Sequence, residues 1–276
     1  MSALRARSVG GVTVGAIDEG AGPAILIVPP GGGDASSWAE VARLLTDEFR
    51  VLRIQRRIYQ PDAAITLPHT MAAEAADLLA VAGQLSRPLL VGHSSGAVAA
   101  LEAALASPAA FTGMVLDEPP LATRSPIAGE AGRRARAALD GGDPVGAMEI
   151  HMREIVGMPA ETVAAIFATP AAGAEFARFA AAQIADNEAL DGLGVGIGRY
   201  ATLDLPAVLV EGERSPTHLR ERLADLAVVL GHVERTVTLA GVDHIGHLTA
   251  PDRLADVIRD AVRRFADAPP GGRLPR

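Results

Sequence analysis

The sequence predicts an α/β protein with one mostly parallel sheet, helices on both faces of the sheet, and a helical insertion. Short apolar segments alternate with amphipathic ones along most of the 276 residues. One apolar segment runs directly into a glycine-rich turn at residues 92–96. Strand-like patterns then disappear between about residues 119 and 200, where helical patterns take over.

The first half of the chain supplies most of the eight predicted strands. Alternation over residues 12–16 predicts a half-buried strand in an N-terminal hairpin. The continuously apolar run 24–28 predicts a strand buried on both faces. Strands follow at 51–54, 89–91 and 114–116, and helices are predicted after the capping candidates Asp34 and Ser36, over 71–82 and over 97–106.

The second half begins with helical stretches at 133–139, 147–156 and 174–187. Strands return at 207–210 and 237–239, separated by a helix from Pro216 and followed by a last helix carrying Leu254 and Ile258. We therefore expect a core formed by residues 1–118 and 201–267, a helical cap at 119–200, and a disordered tail at 268–276.

Composition excludes several classes of function. The net charge of -8 opposes binding to nucleic acid and to anionic membranes. The chain has no cysteine and no lysine, which excludes thiolate nucleophiles, thiolate metal ligands and Schiff bases. No secretory signal is recognised and no apolar run is long enough to span a bilayer, so we expect a cytoplasmic protein. A small-molecule substrate is the expected partner, no cofactor or metal is expected, and the sequence leaves a homodimer open.

The strongest chemical signal is the pentapeptide Gly92-His93-Ser94-Ser95-Gly96, which lies between a buried strand and a helix. A Gly-x-Ser-x-Gly turn in this context holds the serine hydroxyl clear of its own strand, while the helix N-terminus behind it favours developing negative charge. Ser94 is therefore the predicted nucleophile.

At these residues the chain resembles the α/β-hydrolase superfamily, in its serine-nucleophile, capped branch, from about Gly11 to Phe265. The loop at residues 29–33, followed by Trp38, resembles the family's oxyanion loop with Pro30 in place of a histidine. By this resemblance, the amides of Gly32 and Ser95 would form the oxyanion hole.

The family also places its catalytic base after the last strand, where residues 239–244 resemble a strand-Pro-Gly-x-x-His segment. This resemblance implies that His244 is the base, with His247 as a rival. The two histidines together with Asp243 could also imitate a metal-binding cluster.

The acid departs from the commonest pattern, because Ser215 stands where the family often has an aspartate after the seventh strand. A carboxylate is still needed to fix the histidine tautomer. Some branches carry the acid after the sixth strand with a similar Glu-Pro-Pro ending, so Glu118 is the candidate and Asp117 the alternative acid. Glu213 and Asp243 are weaker alternatives.

Together these residues predict a serine hydrolase that acts on a small, largely apolar ester or lactone through an acyl-enzyme. An epoxide hydrolase, a perhydrolase or a carbon–carbon bond hydrolase on the same scaffold are alternatives. A non-hydrolytic protein that binds a small molecule or folds one for cyclisation is a further alternative, because Ser215 replaces the family's usual aspartate.

Overall fold

The computed structural model describes residues 2–60, 65 and 67–266, so the predicted tail at 268–276 lies outside the described residues. The strands are β1 Ser2–Arg7, β2 Thr13–Glu19, β3 Ala24–Val28, β4 Arg50–Gln55, β5 Leu89–His93, β6 Gly113–Asp117, β7 Ala207–Gly212 and β8 Val233–Leu239. The α-helices are α1 Ala39–Arg43, α2 Met71–Ala82, α3 Ser95–Ala106, α4 Gly129–Asp140, α5 Pro144–Ile150, α6 Ala160–Ile166, α7 Pro170–Ala177, α8 Ala180–Asp191, α9 Thr217–Val229, α10 Gly246–Thr249 and α11 Pro251–Ala266.

The strands form one sheet in the order β1-β2-β4-β3-β5-β6-β7-β8. The first two strands are the predicted hairpin, and β2 pairs with β4 in the antiparallel direction. From β4 to β8 across the sheet, the five adjacent pairs of strands are parallel. The predicted mostly parallel, eight-stranded sheet is confirmed.

Each central strand contributes to two hydrophobic cores, one on each face of the sheet. In β3, Leu26 and Val28 pack with side chains of α2, α3 and α9. Ile25 and Ile27 point to the opposite face, where they pack with side chains of α1 and α11. Because side chains alternate along a strand, a strand covered on both faces must be apolar at every position, which explains the uninterrupted run at residues 24–28.

Helices α4–α8 are inserted between β6 and β7, in the region of the predicted cap. Asp191, at the end of α8, accepts hydrogen bonds from the backbone N–H groups of Ile127, Ala128 and Gly129 at 2.6, 3.2 and 2.8 Å. The start of α4 is thereby tied to the end of α8. The domain boundaries at residues 118 and 200 stay a prediction.

Two helical predictions need correction. The stretch 174–187 is not one helix, because α7 ends at Ala177 and α8 begins at Ala180. Phe179 lies in the break between these helices, and its ring packs edge-on against the Tyr59 ring with a distance of 6.0 Å between the ring centroids. The stretch 147–156 begins in α5 but continues as a π-helical segment, His151–Val156.

In the part of the chain that is described, no helix is both long and apolar enough to cross a membrane.

Candidate active site

Ser94 lies at the turn between β5 and α3 with φ 52° and ψ −129°. This left-handed φ is costly for a residue with a side chain and is typical of a nucleophile elbow. The neighbouring glycines are needed for close packing, because a Cβ on Gly92 would lie 2.5 Å from Cα of Ala97, and one on Gly96 would lie 2.3 Å from the carbonyl oxygen of Pro29. The Ser94 N–H donates to the carbonyl oxygen of Asp117 at 2.8 Å, which joins the turn to the neighbouring strand.

His244 lies in the loop after β8 and bridges two of the predicted residues. Its Nε2 is 3.2 Å from Ser94 Oγ, and its Nδ1 is 2.5 Å from Glu118 Oε2. His244 is 150 positions from Ser94 and 126 positions from Glu118 in sequence, yet the three residues form one hydrogen-bonded line. The structure thus brings Ser94, His244 and Glu118 together as the sequence predicts.

Glu118 follows β6 directly and is fully buried, with φ 44°. Its second carboxylate oxygen, Oε1, accepts a hydrogen bond from the Gly212 N–H at 2.8 Å. Its own N–H donates to the Val210 carbonyl oxygen at 3.1 Å. Both carboxylate oxygens are therefore engaged, and the side chain has a single orientation towards His244.

The other candidate carboxylates are placed differently. Asp117 is buried and forms no ion pair among the described residues, and burial and the adjacent Glu118 raise its pKa well above its ordinary value. Asp243 accepts from the Ile245 N–H at 3.2 Å, and Glu213 accepts from the Gly241 N–H at 2.6 Å. None of these three carboxylates contacts His244 within salt-bridge distance.

His247 is also placed differently from His244. Its ring stacks on Trp38 with a centroid distance of 5.6 Å and an interplanar angle of 9°. Burial, with a smaller effect of His244, lowers the pKa of His247 to about 4, so this ring is neutral near pH 7. His93 donates from Nε2 to the His244 carbonyl oxygen at 3.0 Å. His93 thereby holds the main chain at His244, and burial lowers its pKa well below the ordinary value.

Gly32 and Ser95, the predicted oxyanion-hole residues, line the same cavity as Ser94. Gly32 has φ 77°, a conformation that favours glycine. Ser95 begins α3, where backbone N–H groups have no partner within the helix. The Tyr59 hydroxyl lies beside this loop, 2.7 Å from where a Cβ on Gly31 would be, and burial raises its pKa well above the ordinary value.

A buried polar network lies beneath these residues. Arg56, which follows β4, donates from Nε to Glu74 at 3.1 Å, from one terminal nitrogen to Ser95 Oγ at 2.8 Å, and from the other to Asp186 at 2.8 Å. Burial alone would lower the pKa of Arg56, but the carboxylates of Asp186 and Glu74 outweigh burial and raise it. The guanidinium is therefore charged and links the sheet to α2, α3 and α8.

Asp186 is fully buried and accepts two further hydrogen bonds, from Ser95 Oγ at 2.6 Å and from the Tyr59 hydroxyl at 3.0 Å. Sequence reasoning missed this residue and its neighbours Gln183 and Asn187. The spacing of 183, 186 and 187 places three polar side chains on one face of α8, and this pattern was the available signal.

A cavity of about 380 Å³ opens above Ser94, between the ends of the strands and the inserted helices. Its wall is mainly apolar. The apolar side chains on it include Met148, Met152, Ile155, Met158 and Phe176. Polar side chains on the wall include His151, Gln183, Asn187, His218 and Arg222.

The described residues contain no group of three or more His, Asp or Glu side chains placed to hold a metal ion. The metal-binding cluster of His244, His247 and Asp243, considered as an alternative from the sequence, is therefore not formed. The chemistry available at this site is that of a serine hydroxyl, an imidazole and a carboxylate.

The sequence matches the alpha/beta hydrolase family over residues 25–257. No curated protein is significantly similar to this chain in sequence. Among solved structures, an alpha/beta hydrolase from Sphaerobacter thermophilus is 26% identical with a TM-score of 0.80, and the match covers 93% of this chain and 99% of that chain.

Two further structures share the fold at lower identity. An enol-lactonase from Burkholderia xenovorans is 19% identical with a TM-score of 0.71, covering 94% of this chain and 100% of that chain. An epoxide hydrolase from Vigna radiata is 15% identical with a TM-score of 0.71, covering 96% of this chain and 98% of that chain. The family match spans most of the sequence and agrees with the topology of the sheet, and this chain is therefore a hydrolase that belongs to the alpha/beta hydrolase family.

Proposed function

We propose that this protein hydrolyses a small carboxylic ester or lactone, with Ser94 as nucleophile, His244 as base and Glu118 as the acid of a catalytic triad. The observation that carries the proposal is the hydrogen-bonded line from Ser94 Oγ through His244, at 3.2 Å, to Glu118, at 2.5 Å. A serine hydroxyl becomes nucleophilic when a positioned base can take its proton.

In the first half of the reaction, Ser94 Oγ attacks the ester carbonyl carbon while His244 Nε2 takes the hydroxyl proton. Glu118 stabilises the imidazolium and keeps the remaining ring proton on Nδ1. The C–O bond to the alcohol then breaks, and His244 returns the proton to the leaving oxygen. In the second half, His244 activates a water molecule that cleaves the acyl-enzyme and releases the acid and Ser94.

The oxyanion formed in each half would be held by the amides of Gly32 and Ser95. Removing one such donor typically costs about 3 kcal/mol of transition-state stabilisation. The position of both residues on the cavity wall beside Ser94 supports this assignment.

Several features favour ester hydrolysis over the alternatives. Epoxide hydrolases of this fold use a carboxylate nucleophile, and position 94 is a serine. The non-hydrolytic alternative depended on Ser215 replacing the usual acid, but Glu118 supplies a carboxylate to His244 from the end of β6. The mainly apolar cavity of about 380 Å³ suits a small apolar ester, and the enol-lactonase of similar fold acts on a related bond.

A fluorophosphonate probe tests the nucleophile directly. We expect one adduct on the wild type and none on Ser94→Ala, together with a burst of p-nitrophenol from short p-nitrophenyl esters in the wild type alone. Ser37→Ala is the matched control, because Ser37 lines the same cavity but its hydroxyl donates to the Asp34 carbonyl oxygen at 3.0 Å. An unlabelled wild type, or equal labelling of Ser94→Ala, would contradict the proposal.

A further inference from the structure

His151 opens the π-helical segment 151–156 and lies on the wall of the cavity that contains Ser94 and His244. Single π-helical turns are rare and occur frequently at functional sites. The ring is 8% exposed, so it is part of the wall and not of the outer surface.

One nitrogen of this ring is held by a chain of side-chain hydrogen bonds. The Asn187 amide donates from Nδ2 to His151 Nδ1 at 3.1 Å, and the Gln183 amide donates from Nε2 to Asn187 Oδ1 at 3.0 Å. Gln183 Oε1 in turn lies 3.3 Å from the Tyr59 hydroxyl. Since Nδ1 accepts a hydrogen bond, the proton of the neutral ring is on Nε2.

Burial lowers the pKa of His151 to about 4, although the nearby Asp186 acts in the opposite direction. Near pH 7 the ring is therefore neutral and presents a single N–H. A neutral imidazole N–H donates a hydrogen bond but does not release its proton, so His151 is not a second acid for the reaction.

Within the described residues, Nε2 of His151 has no hydrogen-bond partner, and the cavity around it is mainly apolar. This nitrogen is not among the fully buried unpaired atoms, so it is open to the cavity and free to donate to an acceptor of a bound molecule. Arg222, the cationic side chain on the same wall, already donates to the carbonyl oxygens of Leu121 and Ser125. His151 is therefore the better placed donor for a bound molecule.

We propose that His151 Nε2 binds an acceptor oxygen of the substrate other than the reacting ester group. The substrate class is then a small apolar ester or lactone that carries one further ether, keto or hydroxyl oxygen. This inference rests on the ester hydrolysis proposed above. It makes His151 a residue that determines specificity, with Asn187 and Gln183 orienting it.

Matched pairs of p-nitrophenyl esters test this proposal. In each pair one CH₂ of the acyl chain is replaced by an ether oxygen: butanoate with methoxyacetate, pentanoate with 3-methoxypropanoate, and hexanoate with 4-methoxybutanoate. The measured quantity is the ratio of kcat/KM values, ether over alkyl, divided by the same ratio for uncatalysed hydrolysis. For at least one pair we expect this corrected ratio to be roughly 3 to 10 in the wild type, which is the effect of one neutral hydrogen bond.

The variant His151→Phe keeps an aromatic ring but removes the donor, and we expect it to bring this ratio to about one. His151→Leu serves the same purpose if the phenylalanine variant does not fold, as judged by circular dichroism. His151→Gln returns an N–H near the position of Nε2 and should recover part of the preference. Met152→Leu, on the same segment and cavity wall, is the control that should leave the ratio unchanged.

The outcomes separate the two proposals. A wild-type ratio near one for all three pairs, or an equal ratio in wild type and the donor-free variants, overturns the role of His151 while ester hydrolysis stands. A wild type that hydrolyses none of the six esters and does not react with the fluorophosphonate overturns the proposed function, and the role of His151 with it.

Discussion

Replacing Glu118 by glutamine changes one oxygen of a buried carboxylate into an NH₂ group with little change in size. The Gly212 N–H donates to Oε1 at 2.8 Å, so the amide oxygen stays at that position and the NH₂ group faces His244 Nδ1, 2.5 Å away in the wild type. An NH₂ group can only donate there. The ring proton must then move to Nε2, and the nitrogen that faces Ser94 Oγ at 3.2 Å can no longer accept the hydroxyl proton.

The size of the effect follows from this change of tautomer. In a serine protease triad the equivalent replacement of the acid by its amide lowers kcat by about 10⁴-fold. We expect Glu118→Gln to lower kcat by about 10³- to 10⁴-fold, which corresponds to about 4–5.5 kcal/mol of activation free energy. KM should change little, because Glu118 is fully buried and does not line the cavity.

The assay is steady-state hydrolysis of p-nitrophenyl butanoate, with the burst amplitude as a measure of acylation. Asp117→Asn is the matched control, since Asp117 is the preceding residue, is also buried, and has no contact with His244 within salt-bridge distance. It should retain kcat within about threefold, the scatter of a substitution outside the reaction. A Glu118→Gln enzyme with more than a tenth of wild-type kcat would refute the reasoning. A large loss in Asp117→Asn alone would move the acid to residue 117.

Three further predictions concern stability. Asp186→Asn removes the counter-charge of the buried Arg56 guanidinium and should lower the free energy of unfolding in urea by about 3–5 kcal/mol. The control Glu188→Gln, at an exposed position on the same helix, should lower it by less than about 0.5 kcal/mol. Equal losses in the two variants would show that the buried network is not stabilising. Burial lowers the pKa of His247 to about 4, so as the pH falls this imidazole is protonated first in the unfolded chain. The contribution of the neutral ring to the free energy of unfolding is therefore fully present above pH 6.5 and declines by about 3 kcal/mol towards pH 4. His247→Phe should therefore flatten the dependence of the urea midpoint on pH between 6.5 and 4, and an unchanged slope would contradict this. Gly92→Ala places a Cβ 2.5 Å from a backbone atom and should lower the melting temperature strongly, while Gly198→Ala, with no heavy atom within 4 Å, should not; similar melting temperatures for both would count against the packing argument.

The fold was predictable because its signals are local. A strand covered on both faces is apolar at every position, as at residues 24–28, and a strand-to-helix turn that needs two glycines is visible in the pentapeptide 92–96. The break between α7 and α8 was not predictable, because Arg178 and Phe179 carry no glycine or proline signal. There the chain follows the packing of Phe179 against Tyr59, a contact made only in the folded protein.

The candidate site also contains residues that were predictable from the sequence and one that was not. Ser94, His244 and Glu118 each follow a strand, and parallel strands bring such residues to one edge of the sheet. Asp186 is different, because it lies in the middle of a helix and its partner Arg56 is 130 positions away in sequence. Its role depends on how the inserted helices sit on the sheet, and a single sequence does not contain that information.

The pairing of Arg56 with Asp186 has a consequence for protein engineering. One partner directly follows strand β4 and the other lies in the segment inserted between β6 and β7, so this segment is not a freely exchangeable module. A chimera with foreign helices in place of residues 119–200 would leave the Arg56 guanidinium without its Asp186 partner, beneath the turn at Ser94. It would then need an acidic residue at the matching place. Designs that reshape the binding cavity should therefore graft around α8 and retain its inward-facing polar side chains.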